Sequence, residues 1–136
     1  MKINILAATV LLVSVSPAFA DGDAAKGESE FKKCKACHSI VAADGTEIVK
    51  GGKTGPNLFG VVGRPAASVA DFKYGDGLAA AGAAGLVWDE ELIAEYVKDP
   101  TAFIDSHGGE GKSKMTFKLA KGGEDVAAYL ASVAAE

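Results

Sequence analysis

The pentapeptide Cys34-Lys35-Ala36-Cys37-His38 limits what this chain can fold into more than any other feature. Two thiols separated by two residues can add to the two vinyl groups of one porphyrin, because one helical turn spans the distance between them. The imidazole that follows at once can then reach the iron as an axial ligand. The motif therefore predicts a covalently attached c-type haem, with Cys34 and Cys37 as attachment points and His38 as a ligand.

The same residues could also form a dithiol redox pair, part of a zinc site or a local disulfide. The chain has two cysteines and two histidines. A zinc site would need the second histidine, His107, whose separation from the pentapeptide fits no zinc finger. A thioredoxin-like site requires a βαβ pattern, and no strand-like run precedes Cys34. The adjacent His38 favours haem, and a haem-free thiol oxidoreductase stays open as an alternative.

Residues 1–20 have the pattern of a cleaved secretory signal peptide. Lys2 is basic, residues 5–15 are mainly apolar, and Ala18-Phe19-Ala20 is a small-x-small cleavage site. The apolar run is too short to span a bilayer comfortably. We therefore expect a mature chain of residues 21–136, one domain by length, exported to the periplasm without membrane insertion.

The charge balance of the chain is acidic. Lys2 is one of 14 basic residues, so cleavage leaves 13 against 18 acidic ones, a net charge of −5. This acidity argues against nucleic acid as a partner, although a net charge does not describe a local docking patch. Few aromatic residues remain for a core, and a buried porphyrin would add a large apolar surface to it. We therefore expect folding to be coupled to haem attachment.

Three segments carry helical signals. We expect helices from Asp21 or Asp23 to about Lys35, from Asp89 to about Lys98, and from about Gly123 onwards. Pro100 explains why the second of them should end near Lys98. Their apolar faces are formed by Ala24, Gly27 and Phe31 in the first, Leu92, Ile93, Tyr96 and Val97 in the second, and Val126, Tyr129, Leu130 and Val133 in the third.

The remaining segments have almost no strand signal. Residues 39–63 are rich in glycine and predict a loop, as does the polar stretch 106–114. The alanine-rich patch 78–84 indicates one short helix, and residues 101–105 a helical turn. Such long loops are uncommon in a small domain unless they pack on something else, here a cofactor. The pattern predicts an all-α protein.

Met115 is the candidate for the second axial ligand of the iron. It is the only methionine left after signal cleavage, and it lies in the polar, lysine-rich stretch 112–117. A lone methionine is more often core filler, but these neighbours argue against a core position. A thioether is a soft ligand that raises the reduction potential relative to a second imidazole. His107 is the competing ligand, and a vacant position would indicate a gas-binding protein or an enzyme.

With these residues in view, the chain resembles the class I cytochromes c, and within them the bacterial cytochromes c2. The resemblance covers the whole mature chain. It is carried by Cys34 to His38, Thr54-Gly55-Pro56-Asn57-Leu58-Phe59-Gly60, Trp88 with the helix to Tyr96 and Pro100, Lys114-Met115-Thr116-Phe117, and the last helix with Tyr129. It implies a monomer in which N- and C-terminal helices cross and loops wrap around one covalent haem.

The resemblance also implies roles for particular residues. Gly27 and Phe31 should meet the last helix near Val126 and Tyr129, where the glycine allows close approach. Three residues should satisfy buried haem propionates, with an ordinary surface or core position as the less favoured alternative for each: Arg64, Tyr74 and Trp88.

Around the iron, the resemblance implies that the Pro56 carbonyl accepts a hydrogen bond from His38 Nδ1 and that Tyr96 reaches the Met115 sulfur. The chain departs from the shortest relatives in two longer segments, 38–55 and 101–112. Many relatives also have threonine at the position of Ser113, and the serine retains the hydroxyl.

The function implied by the resemblance is that of a periplasmic one-electron carrier rather than an enzyme. The donor would be a cytochrome bc complex, and the acceptor a photosynthetic reaction centre or a terminal oxidase. We expect several lysines to surround an exposed haem edge and to attract acidic partners: Lys32, Lys33, Lys35, Lys53, Lys112, Lys114, Lys118 and Lys121. The alternative is a haem protein with an open or labile sixth site, suited to gas binding or peroxidase-like chemistry.

Overall fold

The computed structural model describes residues 22–134, so the predicted signal peptide lies outside the described residues. Within this range the chain forms five α-helices and one two-stranded hairpin. Their bounds are α1 Ala24–Phe31, β1 Ile40–Val41, β2 Glu47–Val49, α2 Asp76–Ala83, α3 Glu90–Lys98, α4 Pro100–Ser106 and α5 Gly123–Ala134. None of the helices in this range is long and apolar enough to cross a membrane.

Helix α1 begins where the sequence predicts and ends earlier. The Asp23 carboxylate accepts hydrogen bonds from the Ala25 and Lys26 N–H groups, which confirms it as the N-cap. The α-helix ends at Phe31, so the predicted end near Lys35 is wrong. The Cys34 N–H bonds to the Phe31 carbonyl only three residues back, at 2.8 Å, and the chain continues in tight turns through the haem-binding motif.

Helices α1 and α5 cross at Gly27, as the resemblance implies. A Cβ atom at Gly27 would collide with the Asp125 carbonyl on α5 and would lie 2.8 Å from Tyr129 Cβ. The Phe31 ring, one turn further along α1, lies 5.7 Å from the Tyr129 ring between centroids. The two backbones therefore approach to a distance that only glycine permits.

The hairpin corrects the prediction of a loop over residues 39–63. Strand β1 pairs with β2 in antiparallel register, Ile40 opposite Val49, and Ile40 is fully buried. The Asn57 side chain extends the pairing by bonding the Val41 N–H at 3.0 Å and the Val41 carbonyl at 2.8 Å. Strands of two and three residues are too short for alternation to show in the sequence.

Helices α2 to α5 agree closely with the expected elements. Asp89 caps α3 by accepting from the Leu92 N–H at 2.7 Å. Asp99 follows the end of α3 and caps α4, which has Pro100 in its first turn and extends beyond the single helical turn that the sequence predicts. The predicted apolar face of α5 is buried at every position: Val126, Tyr129, Leu130 and Val133.

An aromatic cluster joins α3 and α4. The Trp88 ring lies 5.2 Å from the Tyr96 ring and 5.5 Å from the Phe103 ring, and Tyr96 meets Phe103 edge-on at 5.4 Å. Trp88 and Phe103 are buried, so this cluster is part of the core. It supports one side of the cavity described next.

Candidate functional site

A cavity of about 640 Å³ lies among these elements. Every residue that the sequence singles out for a cofactor site lines it: Cys34, Cys37, His38, Pro56, Arg64, Tyr74, Trp88, Tyr96 and Met115. The rest of the lining is mainly apolar and includes residues that sequence patterns do not assign to a site, such as Phe72, Leu78, Ile104 and Phe117. No periodicity marks these residues, because the chain reaches the cavity from loops and short helices.

The His38 imidazole is fixed by backbone atoms. Its Nδ1 lies 2.8 Å from the Pro56 carbonyl oxygen, as the resemblance implies. A Cβ atom at Gly55 would lie 2.6 Å from Nδ1 and 2.8 Å from Nε2, so the Gly55 backbone packs directly on the ring. Burial lowers the pKa of His38, and the bond to Pro56 acts in the opposite direction. A proton on Nδ1 leaves the Nε2 lone pair available to a metal.

The two cysteines lie at the cavity, Cys34 half-buried and Cys37 exposed. Burial raises the pKa of the Cys34 thiol to about 11, and the nearby Glu30 carboxylate adds to the effect. A dithiol oxidoreductase requires a lowered cysteine pKa, so this environment disfavours that alternative. Across residues 22–134, no group of three or more His, Cys, Asp or Glu side chains is arranged to hold a metal ion.

Met115 is held through Ser113, which is buried with 8% of its surface exposed. The Met115 N–H donates to Ser113 Oγ at 3.1 Å, and the Tyr96 hydroxyl lies 3.2 Å from the same oxygen. Burial raises the pKa of Tyr96, and the Ser113 bond partly offsets this. In the structure the Tyr96 hydroxyl is hydrogen-bonded to Ser113 Oγ, whereas the resemblance implies a contact with the Met115 sulfur.

The three residues expected at the propionates have protein partners. Arg64 Nη1 donates to the Asn57 and Phe59 carbonyls, both at 3.2 Å, and burial lowers its pKa. The Tyr74 hydroxyl accepts from the Val69 N–H at 3.1 Å. Trp88 belongs to the aromatic cluster. All three line the cavity, while their contact with propionates stays a prediction.

His107, the competing ligand, lies away from the cavity lining. Its ring stacks on Phe103 with a centroid distance of 3.9 Å. Nδ1 lies 2.9 Å from the Phe103 carbonyl and Nε2 lies 3.7 Å from a Glu95 carboxylate oxygen. Because both ring nitrogens face protein oxygens, the geometry favours Met115 over His107 as a ligand.

All eight lysines expected around the haem edge are exposed. Lys112 and Lys114 line the cavity, and so does Lys73, which the sequence did not suggest. Two members of the predicted set are engaged in ion pairs: Lys33 with Glu30 at 2.6 Å and Lys118 with Asp99 at 2.9 Å.

The cavity suits a haem. It combines two thiols and an imidazole from one short segment with a thioether from a distant one, inside a mainly apolar lining. The contact between Gly55 and His38 orients the imidazole with no side chain in between. These donors provide two thiols for covalent attachment and a nitrogen ligand, and the thioether is the candidate for the second axial ligand.

The relatives of the chain agree with this site. Cytochrome c2 of Rhodobacter capsulatus is 66% identical over 136 residues, covering 98% of both chains. Cytochrome c-550 of Paracoccus denitrificans is 54% identical over 138 residues, covering 96% of this chain and 88% of that one. No protein-family model matches the chain.

Solved structures show the same similarity. Cytochrome c2 of Rhodobacter capsulatus superimposes with a TM-score of 0.80 at 67% identity, covering 82% of this chain and 98% of that one. Cytochrome c2 of Paracoccus denitrificans gives a TM-score of 0.82 at 53% identity, covering 85% of this chain and 98% of that one.

The helix crossing, the cavity and these relatives together define a haem-containing electron-transfer protein. The chain belongs to the class I c-type cytochromes, close to the cytochromes c2. The predicted all-α fold and the prediction of one covalently bound haem c are thereby confirmed.

Proposed function

We propose that the protein is a periplasmic, monomeric one-electron carrier with His/Met axial ligation of its haem. Cys34 and Cys37 form the thioethers, and His38 Nε2 and the Met115 sulfur are the axial ligands. The observation that carries the proposal is that all four side chains line one cavity, with the Pro56 carbonyl on His38 Nδ1. The haem, when bound, supplies a one-electron iron couple.

The residues around the two ligands keep them in place in both oxidation states. Pro56 and Gly55 hold the His38 ring, and Ser113 holds the backbone of Met115. A site that changes little between states transfers electrons with little rearrangement. The apolar lining excludes water and raises the reduction potential.

A visible spectrum of the haem-loaded protein, with and without carbon monoxide, tests the ligation. We expect a low-spin ferrous spectrum that carbon monoxide leaves unchanged. Met115→Ala should lower the reduction potential and allow carbon monoxide to bind, because the sulfur is then missing. A wild-type spectrum that shifts with carbon monoxide would instead support the alternative of an open sixth site.

The electron donor is a cytochrome bc complex, and the acceptor is a photosynthetic reaction centre or a terminal oxidase. Lys112 and Lys114 support docking of an acidic partner surface because they place positive charge at the cavity in a chain of negative net charge. We expect the second-order rate of electron transfer to fall as ionic strength rises, and Lys112→Gln to weaken that dependence. Lys26→Gln, in a lysine that does not line the cavity, is the matched control. A rate of electron transfer that does not depend on salt would rule out a docking role for these lysines.

Export follows from the pattern of residues 1–20. Mass spectrometry of the mature protein should show a chain that begins at Asp21 and carries the added mass of one haem. A mass without haem would support the thiol oxidoreductase alternative.

A further inference from the structure

We propose that Thr101, in the first turn of α4, is a positioning residue for the sixth iron ligand. Its hydroxyl oxygen accepts the Ser113 N–H and so limits how readily Met115 leaves the iron. This inference rests on the proposed ligation by Met115. It assigns a role to the two ends of the 101–112 segment, which is longer here than in the shortest relatives.

The connection from Thr101 to Met115 consists of two short hydrogen bonds. The Ser113 N–H donates to Thr101 Oγ1 at 3.0 Å, and the Met115 N–H donates to Ser113 Oγ at 3.1 Å. Ser113 therefore contacts α4 through its backbone and the ligand residue through its side chain. The Tyr96 hydroxyl, 3.2 Å from Ser113 Oγ, adds a contact from α3.

Burial makes the Thr101 bond costly to lose. Ser113 is only 8% exposed, so bulk water has little access to its N–H once the threonine hydroxyl is gone. A buried donor without an acceptor destabilises the conformation that buries it. The loop can relieve this cost by moving Ser113 outward, and such a movement draws Met115 away from the cavity.

Thr101 itself stands on a rigid support. Asp99 caps α4, Pro100 occupies its first turn, and Phe103 and Ile104 are buried beneath it. A threonine in a helix is largely confined to two χ1 rotamers, so its hydroxyl has few directions available. The segment from residue 107 to residue 122 has no regular secondary structure, so its position depends on contacts of this kind.

The same segment is anchored a second time, further from the ligand. A Cβ atom at Gly109 would collide with the Gly77 carbonyl in α2 and would lie 2.6 Å from Ile104 Cγ2, so the backbone packs closely there. Glu110, Gly111 and Lys112, between the two anchors, are exposed. The Thr101 bond is therefore the anchor nearer in sequence to Met115.

Imidazole binding to the ferric, haem-loaded protein tests the inference, because imidazole enters only when Met115 leaves. We expect Thr101→Val, which keeps the shape and removes the acceptor, to raise imidazole affinity roughly three- to tenfold, as the loss of one hydrogen bond implies. The sulfur-to-iron charge-transfer band should disappear at correspondingly lower imidazole concentrations. Thr101→Ser restores the acceptor and should return both readings to within about twofold of wild type.

The matched control is Ser106→Ala. It removes a hydroxyl that also lies on α4 and that donates to the Ala102 carbonyl within the same helix. It should leave imidazole affinity unchanged. An unchanged affinity in Thr101→Val, or an equal rise in Ser106→Ala, would overturn the inference, because the effect would then be absent or general to α4.

A measurement on the wild-type protein is independent of how well the variants fold. The Ser113 amide should exchange slowly with solvent deuterium, and rapid exchange would show that the Thr101 bond does not hold in solution. A wild-type protein without the charge-transfer band would overturn the Met115 ligation and this inference together. A normal wild-type band together with an unchanged imidazole affinity in Thr101→Val would overturn this inference alone.

Discussion

The His38 ring shows how a single residue is positioned by backbone rather than by side chains. The Pro56 carbonyl lies on its Nδ1, and the Gly55 backbone lies against the ring face. Asn57 fixes this stretch by bonding Val41 on both its N–H and its carbonyl. The orientation of the proposed ligand thus depends on the hairpin, which sequence patterns did not reveal.

Gly55→Ala tests how closely the backbone must approach the imidazole. The added methyl group would lie within 2.8 Å of Nε2, so either the ring or the 54–57 backbone must shift. We expect the free energy of unfolding of the haem-loaded protein to fall by about 1–3 kcal/mol, the usual cost of overpacking. Denaturant unfolding measures the loss, and the reduction potential should change with it.

The control for Gly55→Ala is Lys50→Ala. Lys50 is exposed in the same part of the chain and does not line the cavity. The control should stay within about 0.5 kcal/mol of wild type, as surface substitutions usually do. Equal losses in both variants would mean that the contact with His38 is not the cause.

At the scale of elements, two short helices hold the chain ends together. Helix α1 has only eight residues, too few to be stable alone, so its packing on α5 must hold it in place. Gly27 makes that packing close, and Phe31 and Tyr129 fill the space beside it. The haem-binding turns follow α1 directly, so this crossing also positions Cys34.

Gly27→Ala separates packing from helix propensity. Alanine favours an isolated helix by about 1 kcal/mol over glycine, yet its methyl group would collide with the α5 backbone. We expect a net loss of about 1–3 kcal/mol in the free energy of unfolding, measured by chemical denaturation. Ser29→Ala, on the exposed face of α1, should be neutral or slightly stabilising. A stabilising Gly27→Ala would contradict the close crossing.

Asp99 connects α3, α4 and the segment after Met115, and its contacts predict a pH dependence. The Lys118 side chain and the Ala102 N–H donate to its carboxylate, which lowers the pKa of Asp99 below its usual range. A lowered folded-state pKa stabilises the protein above the unfolded value of about 4, and the benefit is lost as pH falls through the folded value.

Asp99→Asn retains an oxygen for the helix cap and removes the charge. We expect its melting temperature to fall less steeply than that of the wild type as pH drops below about 4. Lys118→Met removes the main cause of the lowered pKa and should lose part of the wild-type slope. Identical slopes in the wild type and Asp99→Asn would show that this carboxylate does not contribute to acid stability.

At the scale of the whole molecule, the cavity is the main feature of the interior. It has a volume of about 640 Å³ and a mainly apolar lining, so without a haem these side chains would be in contact with water. Exposure of apolar surface costs roughly 25 cal/mol per Å². We therefore expect the bound haem to form the centre of the core and the chain to depend on it for folding.

The haem-free chain should accordingly lack the native fold. We expect protein made without haem attachment to lose most of its far-ultraviolet circular dichroism signal and to unfold without a cooperative transition. The haem-loaded protein in the same buffer is the control. Native helix content with a cooperative transition in the haem-free chain would show that side chains alone can close the cavity.

The sequence by itself determined the features that depend on local chemistry. The caps Asp23 and Asp89, the end of α3 before Pro100 and the apolar face of α5 follow from contacts within a few residues, and all are found in the structure. The spacing of the haem-binding pentapeptide is also a local feature, because attachment to one haem requires two cysteines close together in the sequence.

Only the tertiary structure decided the features that depend on residues distant in sequence. The Asn57 side chain binds Val41 beside the hairpin, and Tyr96 meets Ser113 across the fold. Such contacts leave no periodic signal, since each joins single residues through irregular chain. Packing around the cofactor, rather than local secondary-structure propensity, brings these residues together.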